Sequence, residues 1–186
     1  MTTDEIFIQN STELREWLAT NHDKVSSAWL VYPKGKDRTI QMSEIVEQLL
    51  CFGWIDSVAG KVDESRSKIY ISPRKPKSMW SKVNKARVEK LIKLGLMTKV
   101  GMDKVKLAKK TGTWDALNDV ENLVIPNDLK KEFQNYKDAE ENFTNFSSSS
   151  KKVMLTWILS AKTEETRTKR IKDIVENAAK NIKAKA

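Results

Sequence analysis

The chain has 186 residues, 39% of them hydrophobic and 32% charged, with a formal net charge of +9 and one cysteine. That is enough apolar material for a packed core beneath a heavily charged surface, in one moderately large domain or a domain with a helical annex. One cysteine excludes an internal disulfide, and no apolar run reaches the ~20 residues that span a bilayer. Asp4 and Glu5 stand where a secretory leader would be basic and then apolar, so the expected compartment is the cytoplasm.

The first predicted element is a helix in "STELREWLATN", capped by Ser11 or Thr12, with Leu14, Trp17 and Leu18 on one face. "SSAWLVYPKG" follows as a short strand ended by Pro33 and Gly35. "SEIVEQLLCFG" is a second helix, with Ser43 as its expected cap, Ile45, Val46, Leu49 and Leu50 as its buried stripe, and Gly53 as its stop. "WIDSVAGKV" and "SKIYISP" read as two strands joined around "DESR", with pairing ending at Pro73 because proline lacks an N–H to donate.

From there the chain reads as helical. "SMWSKVNKARVEKLIKLG" and "TKVGMDKVKLAKKTG" each begin near Ser or Thr and end at Gly. Asn122 to Pro126 is a joint, and "NDLKKEFQN", "DAEENFTNF", "SSSSKKVMLTWILSA" and "TEETRTKRIKDIVENAAK" supply four more helices, the serine run being a loop that enters a cap. The expected class is α+β: a small β-sheet packed with helices, followed by a helical, mostly α, C-terminal part. The expected division is an α+β part over 1–121, with the sheet and two basic helices, and a helical part over 122–186 packed on it as one compact unit.

Lysine and arginine crowd between residues 61 and 110, where acidic residues are few, and the rest of the chain is slightly acidic. Such a basic centre predicts a positive surface that draws anions in before any specific contact forms. Its densest part is "SPRKPKSMWSK", residues 72–82. Pro73 and Pro76 keep the segment extended, Ser78 is the expected helix cap with Ser81 as the alternative, and Arg74, Lys75 and Lys77 then lie just before a helix N-terminus beside the Trp80 ring. An anion could use all of these together. The plainer reading is a strand exit with solubilising charges, with Trp80, Val83, Leu91 and Leu94 as core.

A second basic group is Lys162, Arg167 and Arg170. Arg167 shares a helical face with Ile171, Ile174 and Ala178, so its guanidinium needs a partner, and Glu164 or Asp56 could supply one. Asp56, after a helix stop among apolar neighbours, could bridge to Arg167 or to Arg74, or these groups could line a ligand pocket. Cys51 lies beside a buried stripe, and the sole histidine, His22, falls in a loop, so core packing is expected of the cysteine rather than nucleophilic chemistry. No metal-ligand cluster, CxxC or Gly-rich phosphate loop is present, so no catalytic residue, metal or cofactor is assigned and positive evidence for an enzyme is thin.

Three segments in order, "LLCFGWIDS" (49–57), "SPRKPKSMWSKVN" (72–84) and "WILSAKTEETRTKRI" (157–171), resemble the YdeI/OmpD-associated, or bacteriocin-protection, family; "GLMTKVGM" and "TGTW" resemble it as well, so that the likeness covers most of the chain. The resemblance implies a small bacterial protein of stress or antimicrobial-peptide tolerance, with no catalytic activity or cofactor to carry over. The porin in the family's name would imply an envelope partner, and the absence of an export signal argues against a direct porin contact. The reading is therefore a small cytoplasmic tolerance protein that binds an anionic small molecule or an acidic protein surface through Asp56, Arg74, Lys75, Lys77, Trp80, Lys162, Arg167 and Arg170. Nucleic-acid binding by the basic helices over 79–110 is the alternative, not favoured because few aromatics interleave the lysines. An enzyme with an unrecognised site is the third.

Overall fold

The computed structural model describes residues 5–184, and the chain divides into two compact units between Asp115 and Ala116. The first holds β1 (Glu5–Phe7), α1 (Ser11–Asn21), β2 (Ala28–Pro33), a 3₁₀ turn at Gly35–Asp37, α2 (Met42–Cys51), β3 (Trp54–Lys61), β4 (Arg66–Pro73), α3 (Lys82–Lys93) and α4 (Lys99–Thr111). Its four-stranded sheet has the order β1-β2-β4-β3; β1 runs parallel to β2, and the other pairs are antiparallel. Leu30 faces Ile69 and Ala28 faces Ile71 across the β2–β4 ladder, four apolar residues that all lie in the core. The β3–β4 ladder runs from Trp54 opposite Pro73 and slips between Asp56 and Ala59, a bulge just beyond the candidate acid.

Caps differ from expectation at α1 and α2 for one reason and at α3 for another. A Glu three residues past the cap chooses its position by bonding back to the cap region. Asn10 caps α1, its side chain accepting from the Glu13 N–H at 3.0 Å, and Gln41 caps α2, its N–H donating to Glu44 at 2.7 Å. Ser11, Thr12 and Ser43 are therefore inside their helices or at the first turn, not caps. α3 starts at Lys82 under a Ser81 cap, later than a Ser78 cap would place it. The chain before it is held in a turn, with the Ser78 N–H on the Lys75 carbonyl. Trp80 and Leu91 are buried as expected, whereas Val83 and Leu94 face outward.

α4 docks end-on against α2. The Thr98 hydroxyl and the Thr98 N–H both donate to the Cys51 carbonyl, at 2.6 and 3.2 Å, satisfying a helix-end acceptor. Gly101 permits this approach, since a Cβ there would sit 2.2 Å from the same oxygen. Gly53 ends the α2 region with φ +69°, turning the chain into β3. Cys51 is fully buried at this junction, and burial pushes its thiol pKa up.

The second unit is helical: α5 (Asn118–Glu121), α6 (Asn127–Phe133), α7 (Ala139–Asn145), α8 (Ser148–Leu159) and α9 (Glu164–Ala179). Ser147 caps α8 and the next three serines form its first turn. Phe133, Phe143 and Phe146 make a chain of ring contacts, and Ile171, Ile174, Val175 and Ala178 of α9 close the core over them. The fold is thus a mixed sheet packed with helices, followed by a helical C-terminal region. Among the described residues no helix is long and apolar enough to cross a membrane.

Candidate functional site

Arg74 follows directly on Pro73, the last residue of β4, and its backbone N–H donates to the Gly53 carbonyl at 2.9 Å. The two ends of the β3–β4 pair thereby fix the residue, and its side chain turns inward at only 3% exposure. The guanidinium lies 3.8 Å from the Trp80 ring centroid, and one terminal nitrogen donates to the Met79 carbonyl at 3.3 Å. A desolvated cation–π contact of this kind contributes about 2 kcal/mol. Nε is buried and has no hydrogen-bond partner.

Burial lowers the Arg74 pKa to about 10, and the charge of half-buried Asp56 only partly opposes that. Asp56 acts through space, without an ion-pair contact. A buried cation ordinarily sits against an anion with its donors filled. Arg74 lacks the contacting carboxylate and one acceptor.

Beside it, Arg74, Lys75, Pro76, Trp80, Lys104 and Leu107 border a cavity of about 10 Å³. Trp80 also packs on Trp114, centroids 5.1 Å apart, and the Lys109 ammonium lies 5.2 Å from the Trp114 ring. Lys75 and Lys77 are exposed at the rim. The sequence brought Arg74, Lys75, Trp80 and Asp56 into view. Lys104, which the sequence offers only to the alternative nucleic-acid face, and Trp114 lie outside the expected anion site, because nothing local marks Lys104 among the lysines of α4.

In the second unit Lys162 is exposed ahead of α9 and Arg167 is half-buried. The partner of Arg167 is Asp128, in the first turn of α6, through two parallel bonds of 2.6 and 3.0 Å. This replaces the Glu164 pairing that helical spacing suggested and the Asp56 pairing suggested by that residue's apolar neighbours. The Arg167 guanidinium holds the Asp128 carboxyl below the usual carboxylate range, and the Arg167 pKa is raised in return. Arg170 donates to the Trp157 carbonyl and to the Ser160 hydroxyl, and lies 5.2 Å from the Trp157 ring. In α3 and α4, Lys90 meets Glu47 at 3.0 Å, Lys106 approaches Asp103 at 3.9 Å, and Lys85 approaches Asp115 at 3.6 Å. These contacts draw on the charge a nucleic-acid face would need.

Two units of different architecture, the first built around a buried guanidinium, define a two-part α+β and helical protein. A family model described as a domain of unknown function (DUF8412) matches residues 6–104, more than half of the chain, and the protein belongs to that family. A second model, described as bacteriocin-protection, YdeI or OmpD-associated, matches residues 122–181. No curated protein and no solved structure matches the chain. The likeness to the YdeI/OmpD-associated family is therefore partial. It takes in "WILSAKTEETRTKRI", whereas "LLCFGWIDS" and "SPRKPKSMWSKVN" fall inside the first model. Those two stretches hold the Gly53 stop, the buried Trp54 and Trp80, and Arg74, residues that the first unit's own packing demands.

Proposed function

We propose that the protein is a small tolerance protein of the bacteriocin-protection kind that works by binding rather than catalysis, and that its first unit recognises an anionic ligand or acidic protein surface. The observation that carries the reading is Arg74: a fully buried guanidinium on Trp80, with an unfilled Nε–H and no carboxylate in contact. Exposed Lys75 and Lys77 extend the positive rim from which an anion would be captured. The match over residues 122–181 supports the tolerance role, and working in the cytoplasm is part of the same proposal. Arg167 is left out of the binding site because Asp128 already neutralises it.

The test has two readouts. Tryptophan fluorescence of the full chain is titrated with sodium phosphate and with a glutamate-rich peptide at fixed ionic strength, for wild type, Arg74→Met and Arg167→Leu. Saturable binding lost in Arg74→Met alone supports the site; no saturable change with either probe removes it. Survival of a bacteriocin-challenged host expressing wild type or Arg74→Met then reports the tolerance role. Equal survival with both proteins separates tolerance from the site.

A further inference from the structure

We infer that the cavity between Arg74, Lys75, Trp80 and Lys104 seats one halide-sized anion, which neutralises the buried guanidinium. Size supplies the first argument. About 10 Å³ is room for one water-sized particle, so a chloride enters only with a few tenths of an ångström of give in the lining, and phosphate, sulfate or a carboxylate-bearing molecule is excluded. The inference rests on the reading of Arg74 as an anion receptor, but concerns an inner seat that a larger ligand at the rim would not occupy.

Chemistry supplies the second. The polar residues on the lining, Arg74, Lys75, Trp80 and Lys104, all carry side chains that only donate, with proline, leucine and alanine making up the rest. A buried water needs two to four partners and has two protons of its own to place. No side chain here accepts them. A halide accepts from every side and donates nothing, so it matches the lining where water does not. The Arg74 Nε–H, buried and without a partner, is the donor such an ion would fill.

Charge supplies the third. Asp56 acts on Arg74 only through space, and burial still depresses the Arg74 pKa, so the pocket carries an uncompensated positive charge. Lys104 adds a second cation from α4, its stem lying across Gly53, where a Cβ would meet its Cγ at 2.5 Å. One monovalent anion would therefore tie the end of β4 to α4.

Melting of the full-length protein in sodium chloride or bromide, against sodium gluconate at equal ionic strength, tests the seat. The expected result is a higher Tm in halide that saturates with concentration, and an anomalous peak between Arg74 and Lys104 in crystals grown in bromide. Lys104→Met, which stays folded because its stem is retained, should weaken bromide binding about tenfold. Identical melting in halide and gluconate, or bromide-grown crystals with no anomalous peak between Arg74 and Lys104, overturns the inference. Phosphate titration in gluconate separates the two proposals. Rim binding without a halide effect leaves only the inner seat refuted, and a halide effect without rim binding refutes the larger-ligand reading alone.

Discussion

Two arginines, one in each unit, were candidates for the same task, and their surroundings differ in kind. Arg167 lies half-buried and holds Asp128 in a bidentate pair. Arg74 is almost wholly buried, rests on an indole, and keeps a donor without an acceptor. The first arrangement is complete and ties α6 to α9. The second lacks a negative charge in contact. Basic residues close in composition thus divide into a paired brace and a buried cation with an unfilled donor, and it is the count of filled donors that separates them.

The largest effect should come from removing the frame that presents Arg74. Gly101→Ala places a Cβ 2.2 Å from the Cys51 carbonyl, so α4 cannot dock on α2 without backbone movement. Overpacking against backbone of this order costs about 3 kcal/mol or more. Urea unfolding followed by amide resonances should show residues of the first unit destabilised, with the helical core around Phe143 retained. A wild-type midpoint for the first unit would show that the approach of the two helices is not as close as described.

The next effect separates volume from charge at Arg74. Arg74→Ala leaves a void over Trp80 and should cost roughly 2–3 kcal/mol, whereas Arg74→Met fills much of the space and removes a desolvated cation. The methionine variant should fall within about 1 kcal/mol of wild type, or above it, in chemical denaturation. A methionine variant as unstable as the alanine one would mean that the charge itself holds the unit together, as a brace does.

Arg167→Leu should do less. Its pair is partly exposed, and such pairs contribute up to about 1 kcal/mol. Anion binding should be unchanged in this variant, and a parallel loss of phosphate binding would undo the division between brace and receptor.

The smallest effect is a pH dependence. Asp128 has a folded pKa below its unfolded value near 4, so its contribution is present above that value and is lost as pH falls through the lowered folded one. The stability difference between wild type and Asp128→Asn should therefore hold from pH 7 to about 5 and shrink below about pH 4. Arg74 carries the opposite sign. Its folded pKa of about 10 lies below the ordinary arginine value, so its burial costs stability below that pH and the cost is relieved above it.

Much of this fold is legible in the residues. Period and punctuation place α1, α2, β2, β3, β4, α4 and the four long-patterned helices of the second unit, because each carries an apolar stripe or alternation bounded by Gly, Pro or Ser. β1 and α5 are too short, at three and four residues, to show a period. A Ser78 cap places the α3 start three residues early, because Ser78 and Ser81 are equivalent as caps until the Arg74–Met79 and Ser78–Lys75 contacts hold the segment in a turn. At the site, composition and proline spacing picked out Arg74 and Trp80. The partner of Arg167 was not legible, because Asp128 lies 39 residues away and looks like an ordinary acid at a helix start. Pairing across such a separation is a property of packing, and local spacing carries no record of it.

The most direct measurement follows the Arg74 Nε–H resonance in a ¹⁵N-labelled sample titrated with sodium phosphate, then sodium chloride, against gluconate at constant ionic strength. If Arg74 is an anion receptor, its Nε–H shifts saturably while that of Arg167, held on Asp128, stays in place. Equal, unsaturated drift of both signals would make Arg74 a structural cation, and the receptor account would be wrong.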